Sequence, residues 1–158
     1  MNLILLRHGE NEKVGELDLT DNGKQFSDAV ANHLAKLSIR AIYVSGENRE
    51  FPTRSIDTVR PLAQRLGLEV NLLWHGWLFN QWLWETETAD YDVLVFRSTD
   101  FTAFTDSMSP FHIRNLESPD DKNYHRIIVL TGLMSRGKPL AYSNKQIILT
   151  GVASRTEP

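Results

Sequence analysis

The sequence contains no cysteine, which excludes disulfide bonds and thiolate metal sites and is compatible with a reducing compartment. It also lacks an excess of positive charge. Its 17 basic residues stand against 20 acidic ones, for a formal net charge of -3. The electrostatic stripe on which nucleic-acid binding rests is therefore missing, although a local pair of arginines can still hold a small anion. No apolar run approaches the roughly 20 residues needed to span a bilayer, and the apolar start after Met1 meets charge too soon to be a secretory core. The five histidines show no metal-ligand spacing and there is no His-Glu-x-x-His element, so no metal is expected. Gly9 stands alone, not in a glycine-rich loop, which disfavours a nucleotide-dependent kinase or a dinucleotide enzyme. These absences predict a soluble cytoplasmic protein with no nucleic-acid or membrane partner.

What is present is enough apolar material for one domain. The chain has 158 residues, 41% of them hydrophobic, so a single domain over 1–158 with a substantial core is expected. Leu3 to Leu6 form a continuous apolar run, the pattern of a central strand buried on both faces. Thr20 can cap a following helix whose positions Phe26, Val30, His33, Leu34 and Leu37 recur at three- and four-residue intervals, with Asp21 near its positive end. Ala41 to Val44 reads as a second strand. A second helix from Thr53 to Leu66 directs Ile56, Val59, Leu62, Ala63 and Leu66 inward and stops at Gly67, with a kink expected at Pro61. Val70 to Leu73, Asp92 to Phe96, Arg126 to Thr131 and Lys145 to Thr150 are further strand candidates. Such alternation predicts an α/β fold, a three-layer α/β/α sandwich with a mostly parallel central sheet. The segment "WHGWLFNQWLWE" holds all four tryptophans and either covers the sheet or lines a pocket. The last strand, "KQIILT", can lie at a sheet edge and pair with a second copy, so a homo-oligomer is possible.

In parallel sheets, ligands gather beyond the carboxyl ends of the strands. Arg7 and His8 follow the first strand at such an edge. A guanidinium there can donate paired hydrogen bonds to phosphate oxygens, and an imidazole beside it can act as nucleophile or proton carrier.

"LILLRHGE", "LTDNG" before the first helix, "AIYVSGENREFPTRSIDTVRPLAQRLG" and a later apolar strand ending in "TG" together resemble the histidine phosphatase superfamily, whose best-known branch is the phosphoglycerate mutases. The likeness covers roughly the first seventy residues. It implies a phosphoglycerate-mutase-like fold in which His8 is the nucleophile and Arg7 its phosphate-binding neighbour, with Asn11 where the family usually has a threonine. The family's second arginine fits two registers. Counting from Tyr43 and Ser45 selects Arg49, whereas counting back from the second helix selects Arg54, with Thr58 four residues on; the helix register favours Arg54. The family's second histidine has its best counterpart in "IIVLTG", which puts Thr131 there; the alternative, "DVLVFRS", puts Arg97 or Ser98 there. A proton donor is expected at Glu85, with Glu87 and His75 as alternatives. The implied reaction is phosphomonoester hydrolysis through a phosphohistidine, needing no metal or other cofactor, on a small anionic or phosphorylated molecule. The alternatives are a non-catalytic relative that binds an anionic ligand or a protein, or different chemistry in the same pocket.

Overall fold

The computed structural model describes residues 2–9, 18–46, 53–74, 90–96, 126–131, 134–135, 138–139 and 143–148. Leu3, Ile4, Leu5 and Leu6 are all fully buried in the first strand, β1 (Asn2–Arg7). Burial on both faces is what an unbroken apolar run requires.

The first helix, α1 (Asp21–Leu34), starts where the Thr20 hydroxyl accepts a hydrogen bond from the Gly23 amide at 3.1 Å. This satisfies one of the donors that every helix start leaves over. Phe26, Val30, Ala31 and Leu34 turn inward. His33, expected on the apolar edge, is exposed instead. The buried arc also includes Gly23 and Ser27; with Ala31 these form a stripe of small residues, which lets the second helix approach on that side and turns His33 outward.

That second helix, α2 (Thr53–Leu66), follows β2 (Ile39–Gly46) and leads to β3 (Val70–Trp74). Gly67 adopts φ 65°, and the bonds Leu68 N–H to Ala63 O (3.0 Å) and Gly67 N–H to Gln64 O (3.4 Å) close the helix in a Schellman motif. The helix runs on through Pro61. Proline has no N–H for the carbonyl four residues back, here Asp57. The Ser27 hydroxyl of α1 reaches that carbonyl at 3.0 Å and the Thr58 carbonyl at 2.8 Å, so the orphaned acceptor is satisfied across the helix pair.

The remaining strands are β4 (Tyr91–Phe96), β5 (Arg126–Thr131), a short antiparallel pair β6 (Met134–Ser135) and β7 (Lys138–Pro139), and β8 (Ser143–Ile148). The main sheet has the order β3-β2-β4-β1-β5-β8. Its first four strands are mutually parallel, β5 runs antiparallel to them, and β8, antiparallel to β5, returns to their direction. β1 to β2 and β2 to β3 both step in the same direction across the sheet. Right-handed crossovers therefore put α1 and α2 on one face, where they pack with Ile4, Leu6, Ile42, Val44, Val93 and Val95. Leu3, Leu5, Leu94 and Phe96 alternate to the opposite face and are buried there too, as a three-layer sandwich demands.

One polar device sits in this sheet. β2 carries an irregularity between Ile39 and Ala41 opposite Tyr91 and Asp92, making Arg40 the extra residue of a bulge. Its guanidinium donates from Nε to Asp92 Oδ1 at 3.0 Å and from Nη2 to Oδ2. Asp92 is fully buried, whereas the Arg40 side chain is 40% exposed. The bond to Asp92 raises the Arg40 pKa, partly opposed by desolvation.

Candidate functional site

β1 delivers Arg7, His8 and Gly9 to the carboxyl edge of the parallel strands. Arg7 is half-buried and pairs with Phe96 of β4, and the His8 amide donates to the Phe96 carbonyl at 3.2 Å. The ladder thus continues one residue past the strand and fixes the backbone of the corner.

The His8 side chain is buried, with 6% of the residue exposed, and its Nδ1 lies 2.8 Å from the Gly9 carbonyl oxygen. A carbonyl only accepts, so Nδ1 carries the proton, and the neutral ring has its lone pair on Nε2. This is the tautomer a nucleophilic imidazole needs if Nε2 is to attack.

Gly9 is held from two sides. A Cβ there would lie 2.9 Å from the Gly23 carbonyl oxygen and 3.2 Å from both Gly23 Cα and Leu19 Cδ2, so the corner touches the start of α1 more closely than any side chain permits. Its amide donates to Thr58 Oγ1 at 2.7 Å. That hydroxyl in turn donates to the Arg54 carbonyl at 2.6 Å. Arg54 is half-buried in the first turn of α2, so one hydroxyl joins the His8 corner to the arginine-bearing turn. No acidic residue lies within that first turn itself, at the positive end of the helix dipole. Ser55, in the same turn, is fully buried and its Oγ has no hydrogen-bond partner among the described residues.

Thr131 does not belong to this edge. β5 runs antiparallel to β1, with Leu3 opposite Leu130 and Leu6 opposite Ile127, which puts the end of β5 beside the beginning of β1. At the usual rise per residue, Thr131 is about 20 Å along the strand direction from His8. The strand that ends beside His8 is β4, and the next residues in sequence, Arg97 and Ser98, lie outside the described residues. So do Asn11, Arg49, His75, Glu85, Glu87, His112, His125 and nearly all of the tryptophan-rich segment.

The tie from Gly9 to Thr58 and the support of Pro61 by Ser27 were not anticipated from the sequence. A proline inside an amphipathic helix is the available signal for the second, since it always leaves a carbonyl to be satisfied. A cleft of about 410 Å³ between α1 and α2 is lined by Asp18, Lys24, Asp28, Asp57 and Arg60 among others, but by neither Arg7 nor His8. Among the described residues no group of three potential ligands could hold a metal, and no helix is long and apolar enough to cross a membrane.

Residues 3–75 match the histidine phosphatase superfamily (branch 1). Among solved structures, a mycobacterial hydrolase is 17% identical with a TM-score of 0.60, covering 99% of this chain and 92% of its own. A mycobacterial glucosyl-3-phosphoglycerate phosphatase is 16% identical with a TM-score of 0.55, covering 82% and 89%. A phosphoglycerate mutase from Plasmodium falciparum is 15% identical with a TM-score of 0.52, covering 99% and 93%. Among curated proteins none matches the sequence. The Arg7-His8-Gly9 corner and the arginine-bearing second helix both fall within the span that matches the superfamily, and the surrounding fold is phosphoglycerate-mutase-like.

Proposed function

We propose that the protein hydrolyses a phosphomonoester through a phosphohistidine on His8. The observation that carries this reading is the bond from His8 Nδ1–H to the Gly9 carbonyl, because it directs the nucleophilic lone pair to Nε2 in a buried ring beside Arg7. Nε2 attacks phosphorus, the bond to the leaving oxygen breaks, and that oxygen takes a proton from an acid, for which Glu85 is the candidate. Water then attacks the phosphohistidine, the P–N bond breaks, and His8 and inorganic phosphate are released. Arg7 and Arg54 hold the equatorial oxygens, whose charge must be stabilised as transfer proceeds. Asn11 and Arg49 remain additional candidates for phosphate contact, and the reaction needs no metal. The partner is a small phosphorylated molecule.

A second reading is an anion-binding protein without turnover. It is favoured by one feature: the strand ending beside His8 is followed by Arg97 and Ser98, not by a histidine. Intact-protein mass after brief reaction with a reactive phosphoryl donor, beside steady-state assays on a phosphomonoester panel, separates the two. An adduct absent from His8→Ala, together with His8-dependent turnover, supports hydrolysis. Absence of both, with phosphate binding retained, supports the second reading.

A further inference from the structure

We infer that Thr58 is a positioning residue that sets the orientation of His8 and its reach to Arg54, an inference whose catalytic part rests on the reading of His8 as nucleophile. A helical threonine often donates to the carbonyl four residues back, so the bond to Arg54 alone means little. The bond it accepts is different. Gly9 N–H donates to Thr58 Oγ1 at 2.7 Å across 49 residues of sequence, and Thr58 is fully buried.

The same Gly9 residue accepts the Nδ1 proton of His8. The two groups belong to adjacent peptide planes joined at the Gly9 Cα, so a shift of residue 9 that breaks the amide's bond to Thr58 also displaces the carbonyl that selects the tautomer. On its other side Thr58 is anchored by Ser27, whose hydroxyl reaches its carbonyl. The chain of contacts runs from α1 through Thr58 to Gly9 and so to the imidazole. A threonine suits the position because its hydroxyl both accepts from the amide and donates to the Arg54 carbonyl. Valine has nearly the same shape and can do neither.

The test compares wild type, Thr58→Val and Thr58→Ser. The His8 tautomer is read by nitrogen NMR of histidine-labelled protein, and the rate constant for phosphorylation by a saturating reactive phosphoryl donor is read by intact mass. Thr58→Ser is expected to keep the Nδ1–H tautomer and to stay within about threefold of the wild-type rate constant. Thr58→Val is expected to mix the tautomers and to lower the rate constant about a hundredfold, the scale of a misplacement near 1 Å, with the donor KM little changed. A purely structural defect lowers the reactive fraction instead and leaves the rate constant of that fraction intact. Wild-type tautomer and rate constant in Thr58→Val overturn the inference. If that variant does not fold, a Thr58→Ser protein that is folded but has lost the Nδ1–H tautomer overturns it equally. An altered tautomer in Thr58→Val when wild type itself forms no adduct sinks the hydrolytic reading and keeps the positioning role.

Discussion

Replacing Gly9 by alanine tests how tightly the corner is packed. The added Cβ would meet the Gly23 carbonyl oxygen at 2.9 Å and both Gly23 Cα and Leu19 Cδ2 at 3.2 Å. The leucine methyl can yield by rotation, but the oxygen belongs to the backbone of α1, whose first turn is pinned by the Thr20 cap. Overpacking of this kind costs about 1–3 kcal/mol. Because Gly9 is not in the left-handed region, alanine also recovers about 0.4–1 kcal/mol by restricting the unfolded chain. The net expectation is a loss of about 1–2 kcal/mol, which for a chain of this size lowers Tm by roughly 2–8 °C. Urea and thermal unfolding of both proteins measure it. The strain also has a direction: relief by moving residue 9 away from α1 disturbs the amide's bond to Thr58, so phosphorylation of His8 should slow in the folded variant as well. Gly9→Ala with unchanged Tm would falsify the steric account, because it would mean that the α1 backbone gives way without cost.

Three further perturbations address the scaffold. Ser27→Ala should cost about 1–2 kcal/mol by stranding the Asp57 carbonyl, and the cost should shrink in a Pro61→Ala background, where the restored amide takes over; additive losses in denaturant titrations would exclude that coupling. Arg40→Ala leaves the Asp92 carboxylate buried without its partner, and a loss of about 2 kcal/mol is expected, below the range for fully buried pairs because Arg40 is partly exposed; adding Asp92→Asn should recover part of it, and no recovery would refute the pairing argument. The raised Arg40 pKa means that the pair's stabilisation is fully present below the ordinary arginine range and is lost only as pH rises through the still higher folded value, so it should not decline between neutral pH and pH 10. Ser55→Ala removes a buried hydroxyl without a partner among the described residues and should raise stability by up to about 1 kcal/mol; a lower Tm would show that a further group bonds that hydroxyl.

The limits of the sequence pattern can be traced to individual residues. β1 and both helices were legible because apolar periodicity over many residues, a capping threonine and a terminating glycine all point to the same elements. His33 failed that reading because periodicity counts apolar residues and passes over Gly23, Ser27 and Ala31, which bring the helices together by being small. The two-residue strands β6 and β7 are too short to show any alternation. The assignment of Thr131 failed for a deeper reason. "RIIVLT" has the same apolar character whichever way it runs beside β1, and nothing in its composition states its direction. Direction is a property of the connections, and it decides which end of a strand meets the site. Because β4 is parallel to β1 and β5 is not, a residue completing a phosphate pocket from a neighbouring strand must follow Phe96 or precede Arg126, not immediately precede Gly132. A strand's sequence can thus identify a core element while leaving unknown which edge its chemistry serves.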